Sequence, residues 1–129
     1  HLLRKMLQHL QGKDLSFTAF ARDTPSHRTN MDCRMHVCDV TGADLGHGRG
    51  HLRHCIVIHL VGNRFLRRMV RVLVSTLVRE ASAQRMQPET FQEDALLRLA
   101  MEMDRTKTAP PAPAAGLCLA EVGYEPWPT

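Results

Sequence analysis

The pattern of apolar and polar positions divides the chain into helical and extended segments. Near its start, apolar residues recur at helical spacing: Leu2, Leu3, Met6, Leu7 and Leu10. Gly12 follows them and predicts the end of a short helix. From Asn30 to Val37 the odd positions are apolar and the even positions are polar. This alternation predicts a half-buried strand.

A second strand is predicted after a glycine-rich stretch. Thr41 to Gly50 is typical of a hairpin loop. The strand is predicted from His51 to Val61. Because Cys55 to Ile58 is apolar on both faces, we expect this strand to be central in its sheet.

A long amphipathic helix is predicted to begin at Asn63, its expected cap, and to fade near Gln84. Arginines at i, i+3, i+4 and i+7 form one stripe along it: Arg64, Arg67, Arg68 and Arg71. No acidic residue lies between Gly62 and Val78 to pair with them. We therefore expect the stripe to face a negatively charged partner. A solvated helix face is the alternative.

The last third of the chain predicts one more helix and one more strand. Pro88 is expected to open a helix that continues to about Met103. The stretch APPAPAA at 109–115 is predicted to be irregular, and Leu117 to Tyr124 alternates like a strand. The resulting order, α-β-β-α-α-β, predicts a single α+β domain over residues 1–129. We expect its helices to pack on one face of an antiparallel sheet.

Composition fits that domain and favours an anionic partner. The chain has 129 residues, of which 43% are hydrophobic and 23% charged, as in ordinary globular proteins. Its net charge is +4 and its isoelectric point is near 9.2. Arginine outnumbers lysine, and its guanidinium group binds phosphate and carboxylate in a fork. No apolar run approaches the ~20 residues of a membrane helix, so we expect no membrane partner.

The cysteines predict the cellular compartment. None forms a CxxC pair, and no signal peptide precedes them: Cys33, Cys38, Cys55 and Cys118. This pattern predicts reduced thiols and an intracellular protein, with the cytoplasm favoured and the nucleus and mitochondrion left open. The chain begins at His1 without an initiating Met, inside an amphipathic pattern. We therefore expect it to be a piece of a longer polypeptide.

The sequence offers neither a metal site nor a nucleophile. His51 and His54 point to opposite faces of a strand, and no Cys and His pair has the spacing of a zinc module. No GxSxG, Walker loop or paired-carboxylate motif is present. We predict that the chain binds its partner without supplying the catalytic group.

Two segments together resemble the tRNA pseudouridine synthases of the TruA family. RFLRRMVR at 64–71, with LVSTLV at 73–78, is similar to the family helix FL-x-x-MVR-x-x-V-G-T-L-V. DRTKTAPPAPAAGLCLAEVGY at 104–124 is similar to the family ending D-R-x-x-A-x-x-x-AP-x-x-GL-x-L-x-x-V-x-Y. Weaker agreements are FTAF at 17–20 and RT at 28–29. In order, these segments cover most of the chain.

The resemblance implies the carboxyl-terminal, RRM-like half of a two-domain enzyme. That half would enclose a basic cleft together with an amino-terminal half that carries the catalytic aspartate in R-T-D-x-G-V-H-A. This chain has no such motif, since Asn30 follows Arg28-Thr29. The implied reaction flips a uridine out of tRNA and isomerises it to pseudouridine without a metal or organic cofactor. The nucleophile is then expected upstream of His1, and the fragment alone is expected to be inactive.

The resemblance also implies roles for single residues. Arg71 is expected to pair with the absent aspartate and keep it ionised. Leu117 is expected to pack on the uracil ring. Contacts to RNA phosphates are expected of the other arginines, with structural ion pairs as the alternative: Arg64, Arg67, Arg68 and Arg28.

Departures from the family pattern and two alternatives remain. Val72, Ser75 and Cys118 replace the family's Asn, Gly and Tyr, which indicates a divergent member. The main alternative is a non-catalytic RNA-binding module, which would need exposed aromatic residues on its central strands. The two predicted strands contain none. A dimerisation domain is the other alternative. The expected partners are tRNA and the missing amino-terminal domain, and a homodimer stays open.

Overall fold

The computed structural model describes residues 2–24, 29–44 and 54–127. The described helices and strands, in chain order, are α1 (Leu2–Gln8), β1 (Asp14–Ser16), β2 (Asp32–Asp44), β3 (His54–Gly62), α2 (Met69–Met86) and α3 (Ala95–Glu102). Single 3-10 turns lie at Thr18–Phe20, Arg105–Lys107 and Ala114–Gly116.

The predicted α+β architecture is confirmed. Its sheet has three strands in the order β1-β2-β3, and both pairings are antiparallel. Helix α1 packs on β2 and on α2, and α3 packs on α2. The core lies between sheet and helices, and its large buried members include Met6, Phe17, Phe20, Met35, Leu73, Leu77 and Leu96. The predicted first helix is confirmed, but it ends at Gln8, before Gly12. Gly12 has a left-handed φ of +75°, and its N–H donates to the Met35 carbonyl at 2.8 Å.

A β-bulge interrupts the pairing of β2 with β3. Met35 pairs with Gly62, and Val37 pairs with Val61, so His36 is an extra residue on β2. Space beside the bulge is limited, because a Cβ at Gly62 would lie 2.9 Å from the Cε of Met35 and 3.3 Å from the Arg34 carbonyl oxygen.

The bulge also changes which positions of β2 face the core. Before it Met31, Cys33 and Met35 are buried, as the alternation predicts. After it the buried positions are Cys38 and Val40, both even-numbered. The prediction that odd positions face inward is thus confirmed to Met35 and wrong for Val37, because one inserted residue reverses the period of two.

Two strand predictions were wrong. β2 continues through Asp44, into the stretch predicted as a loop, whose remainder lies outside the described residues. β3 is an edge strand of the described sheet, with Ile56 58% and Val57 41% exposed. Its apolar residues predicted a central strand, but no described strand pairs with its second edge.

The predicted strand from Leu117 to Tyr124 is also wrong. The segment forms no ladder with any described strand, and its apolar side chains are exposed. Alternation determines which side chains share a face, but a strand also needs a neighbouring edge to pair with. The chain before this segment lies along α2 instead, as detailed below.

Helix α2 begins later than the sequence predicts. Asn63 does not cap it. The Oδ1 atom of Asn63 accepts from the backbone N–H of Arg34 at 2.9 Å, and its own N–H donates to the Arg34 carbonyl at 3.1 Å. The residue before the helix, Arg68, has a left-handed φ of 59°. Because the first helical residue is Met69, the arginines at 64, 67 and 68 lie outside the helix and no four-arginine stripe forms.

Helix α3 also starts later than predicted. Pro88 begins a turn, and regular helix starts only at Ala95 and ends at Glu102. No helix among the described residues is both long and apolar enough to cross a membrane.

The core predicts the outcome of a helix substitution. Leu73→Ala removes a fully buried side chain of α2 from the hydrophobic core. We expect it to lower the free energy of unfolding by about 2–5 kcal/mol in urea denaturation, because a cavity remains. Val78→Ala on the same helix, where Val78 is 50% exposed, is the matched control. We expect the control to change stability by about 0.5 kcal/mol or less, and equal losses for the two variants would contradict this packing.

Candidate functional site

The segment after α3 lies along α2 and is hydrogen-bonded to it at nearly every turn. The Nη2 atom of Arg79 donates to the Lys107 carbonyl at 2.7 Å. The Oγ1 atom of Thr76 accepts from the Ala109 N–H at 3.0 Å. As residue numbers rise along the segment, those of its helix partners fall. The segment, residues 107–112, therefore runs antiparallel to α2, and we call it the strap.

The strap reaches the amino-terminal end of α2 at Arg71. The Ser75 hydroxyl lies 2.5 Å from the Pro110 carbonyl and 3.0 Å from that of Val72. The Nε atom of Arg71 donates to the Ala112 carbonyl at 2.7 Å, and the Ala112 N–H donates to the Arg71 carbonyl at 3.0 Å. Ser75, which replaces a glycine of the family pattern, thus supplies one of the contacts that hold the strap.

The guanidinium of Arg71 is oriented but not neutralised. Its Nε–H donates to a carbonyl of the strap, and the side chain is half-buried. Within the described part of the chain, no carboxylate lies within 4.0 Å of it. A guanidinium fixed through one nitrogen can still bind a carboxylate or phosphate through its two Nη groups.

Leu117 lies shortly after the strap in the chain. It follows the short 3-10 turn Ala114–Gly116, which separates it from the part of the strap bound to Arg71. Its N–H donates to the Ala114 carbonyl at 3.0 Å, which closes the turn, and its side chain is 52% exposed. The fold thus places an exposed apolar side chain a single turn beyond the strap's contact with Arg71.

The other predicted arginines lie on the connection between β3 and α2. Arg68 forms an ion pair with Asp23 at 2.8 Å, which is the structural alternative that the sequence left open. Arg67 is exposed and Arg64 is half-buried, and neither is paired with a carboxylate in the described ranges. Arg28 lies outside the described residues. On this connection, Arg68 is therefore charge-compensated, whereas Arg64 and Arg67 remain uncompensated.

Arg22 joins three parts of the fold, and sequence analysis gave it no role. Its Nη1 atom donates to the carbonyls of Ala19 at 3.0 Å and Ala21 at 2.9 Å. Its Nη2 atom donates to the Thr108 hydroxyl at 2.7 Å. Its backbone N–H donates to the Arg67 carbonyl at 3.1 Å. Burial, and then the neighbouring positive charge of Arg105, lower the pKa of the Arg22 guanidinium.

The loops at residues 21–23 and 67–68 are thus tied twice, by that backbone hydrogen bond and by the Asp23–Arg68 ion pair. Both partners of the pair have left-handed backbones, with φ of 54° at Asp23 and 59° at Arg68. Non-glycine residues adopt this region at a cost, and structures retain it where surrounding contacts enforce it. The sequence signal for Arg22 was its position, because the resembled family often has an arginine directly after the second Phe of FTAF, where this chain has Ala21 and then Arg22.

We expect Arg22→Ala to destabilise the fold, because several carbonyls and the buried Thr108 hydroxyl lose a charged donor. The expected loss is about 2–3 kcal/mol in the free energy of unfolding. Arg22→Lys should recover little of it, since an ammonium cannot replace the guanidinium fork. Arg68→Ala, which removes only an exposed ion pair, is the control and should cost about 1 kcal/mol or less. A loss for Arg22→Ala no larger than that of the control would contradict this role.

The cysteines differ sharply in accessibility, and burial shifts the pKa of two of them. All are free: Cys33 and Cys38 are buried, Cys55 is half-buried and Cys118 is exposed. Burial raises the pKa of the Cys38 thiol to about 12 and also raises that of Cys33. No three His, Cys, Asp or Glu side chains in the described ranges converge on a point where they could hold a metal ion.

These differences predict the order of thiol labelling. At pH 8, Cys118 should react rapidly with a thiol reagent, whereas Cys33 and Cys38 should react only after unfolding. Cys118→Ser should abolish the fast phase. Because the fold raises the pKa of both buried thiols, their protonated forms are favoured, and stability should fall as the pH rises above about 8.5, where unfolded thiols ionise. Rapid labelling of Cys38 in the folded protein would contradict its burial.

Two comparisons identify the family. A family model described as tRNA pseudouridine synthase matches residues 6–125. The tRNA pseudouridine synthase A of Pelobacter propionicus (strain DSM 2379 / NBRC 103807 / OttBd1) is 42% identical over 69 residues, which are 54% of this chain and 26% of that protein. The chain thus matches about a quarter of the length of this relative. The family match covers the strap, Arg71 and Leu117, and the chain belongs to the tRNA pseudouridine synthase family.

Proposed function

We propose that this chain is the carboxyl-terminal half of an enzyme that isomerises uridine to pseudouridine in tRNA. In this proposal the domain of residues 1–129 supplies one wall of the RNA-binding cleft and the arginine partner of the catalytic aspartate. The observation that carries the proposal is Arg71: its guanidinium is held by the strap through Nε and has no carboxylate partner in the described chain.

Charge complementarity gives Arg71 its role. Attack on uridine requires an ionised aspartate, and a guanidinium at ion-pair distance lowers the pKa of a carboxyl group and fixes its orientation. The printed sequence has no R-T-D-x-G motif to provide that aspartate. The proposal therefore places the nucleophile outside residues 1–129, in the amino-terminal half of the same polypeptide.

Leu117 and the connection between β3 and α2 would contact the substrate. The uridine must leave its stack before its glycosidic bond at N1 is broken and the base is rejoined at C5. An exposed leucine that follows the strap in the chain offers an apolar surface for the uracil ring. Arg64 and Arg67, which carry uncompensated charge, would bind phosphates, whereas a phosphate at Arg68 must compete with Asp23.

Substitution of Arg71 in the polypeptide that also carries the catalytic half tests the proposal. We expect Arg71→Ala to lower kcat by about 10²–10³-fold, since the developing charge loses a preorganised partner. The pKa of the aspartate should also rise without the cation. The acidic limb of the pH–rate profile should therefore move to higher pH, because only the ionised form attacks.

A control separates the charge of Arg71 from its contact with the strap. Ser75→Ala removes a neighbouring strap hydrogen bond and leaves Arg71 in place. We expect it to retain most of the rate and the original pH profile. An unchanged rate for Arg71→Ala, or an equal loss in both variants, would reject the counter-ion role.

The phosphate role predicts a salt dependence. Arg67→Ala should reduce the slope of log affinity for tRNA against log salt concentration by about 0.7–0.9, the value for one lost phosphate contact. Arg98→Ala is the control, because Arg98 is exposed on α3 and already paired with Asp94 at 2.9 Å. If wild type and Arg67→Ala had the same slope, the assignment of Arg67 to the RNA-binding surface would be rejected.

A further inference from the structure

A stack of two aromatic rings lies on the sheet at the bulge of β2. The His36 imidazole and the Trp127 indole are nearly parallel, at 10°, with ring centroids 5.6 Å apart. The bulge leaves His36 without a register partner on β3, and bulges re-aim side chains in this way. Trp127 comes from the far end of the chain. The fold therefore brings together two rings that are far apart in the sequence.

The indole keeps a large accessible surface in this position. Trp127 is 46% exposed although His36 covers it. A parallel stack covers one face of a planar ring, so an exposure near half agrees with an accessible second face. A rigid aromatic ring with one free face is the kind of surface on which unpaired nucleobases stack.

The charges beside the stack favour a base over a phosphate. Arg34, two positions before His36 on β2, is paired with Asp14 at 3.2 Å. Glu125, two positions before Trp127, is exposed. This mixed surface offers little to the RNA backbone, whereas an aromatic face binds any base through stacking.

We propose that the His36–Trp127 stack binds an unpaired nucleobase of RNA on the free face of the indole. The stack shares no residue with Arg71, Leu117 or the arginines assigned to phosphate contacts. It rests on the proposed function in one respect, that the ligand is RNA. Since stacking tolerates every base, the site adds affinity and position rather than sequence specificity.

Intrinsic fluorescence reports on this site directly, because Trp127 is the only tryptophan in the 129 residues. The probe is an oligouridylate of about eight nucleotides, within the usual span of single-strand sites. Its control is an abasic oligomer with the same number of phosphates. We expect saturable quenching by the oligouridylate alone. Equal quenching by both oligomers, or quenching by neither, would overturn the proposal.

Variants test the same site with a labelled oligouridylate. Trp127→Leu should bind about tenfold more weakly, with an unchanged salt slope, because a stacked base is lost and no phosphate contact is. Trp127→Phe should retain much of the affinity. Tyr124→Leu is the matched control, since Tyr124 is an aromatic residue of the same segment, is 96% exposed and forms no stack in the described structure.

The outcomes separate this inference from the proposed function. If Trp127→Leu binds like wild type, or if Tyr124→Leu loses as much, the stacking site is rejected. In that case weaker tRNA binding by Arg67→Ala would leave the proposed function in place. Absence of any tRNA binding by the wild-type protein would reject both.

Discussion

The strap of residues 107–112 is the contact on which the rest of the site depends. A stretch rich in Pro and Ala cannot form a helix with a continuous ladder, because each proline lacks a donor. Its carbonyls and remaining N–H groups must therefore find partners elsewhere. Side chains along α2 supply them, from Arg79 at one end to Arg71 at the other. Among these hydrogen bonds, the one from the Arg71 Nε atom to the Ala112 carbonyl also orients the guanidinium of Arg71.

The other end of the strap is fixed by Arg22 and Thr108. The Thr108 hydroxyl donates to the Ala19 carbonyl at 2.7 Å and accepts from Arg22 at 2.7 Å. Arg105 adds a hydrogen bond from its Nε atom to the Thr18 carbonyl at 3.1 Å. The segment Thr18–Ala21 is in turn anchored by Phe17 and Phe20, which are fully buried. A continuous path of packing and hydrogen bonds therefore runs from the core to Arg71.

The arginines of this chain divide into two groups that the sequence alone could not separate. Arg22 and Arg79 donate to backbone carbonyls, Arg79 is also paired with Glu80, and Arg68 is paired with Asp23. Arg71 and Arg67 have no acidic partner in the described ranges. Four of the arginines, at 64, 67, 68 and 71, were expected from helical spacing to form one surface, yet that expectation assumed a helix that begins at Asn63. Because the backbone at Arg68 is left-handed, the helix begins only after it, and the arginines do not form a single stripe.

What could be predicted from the sequence was what local periodicity and motif spacing encode. The first helix, the alternation up to Met35, the α+β class and the family are confirmed. The reversal at His36 was not predictable, because one inserted residue has no compositional signature. The strap was seen only as an irregular stretch, since its structure comes from donors distant in sequence. The edge position of β3 also depends on which strands lie beside it, and periodicity does not encode neighbours.

The central claim is that Arg71 belongs to an active site completed by an aspartate from outside residues 1–129. The most direct test is to measure pseudouridine formation in tRNA by residues 1–129 alone and after addition of the separately produced catalytic half. The account predicts no product from the chain alone and activity when the two halves are combined. Pseudouridine formation by residues 1–129 alone would contradict it.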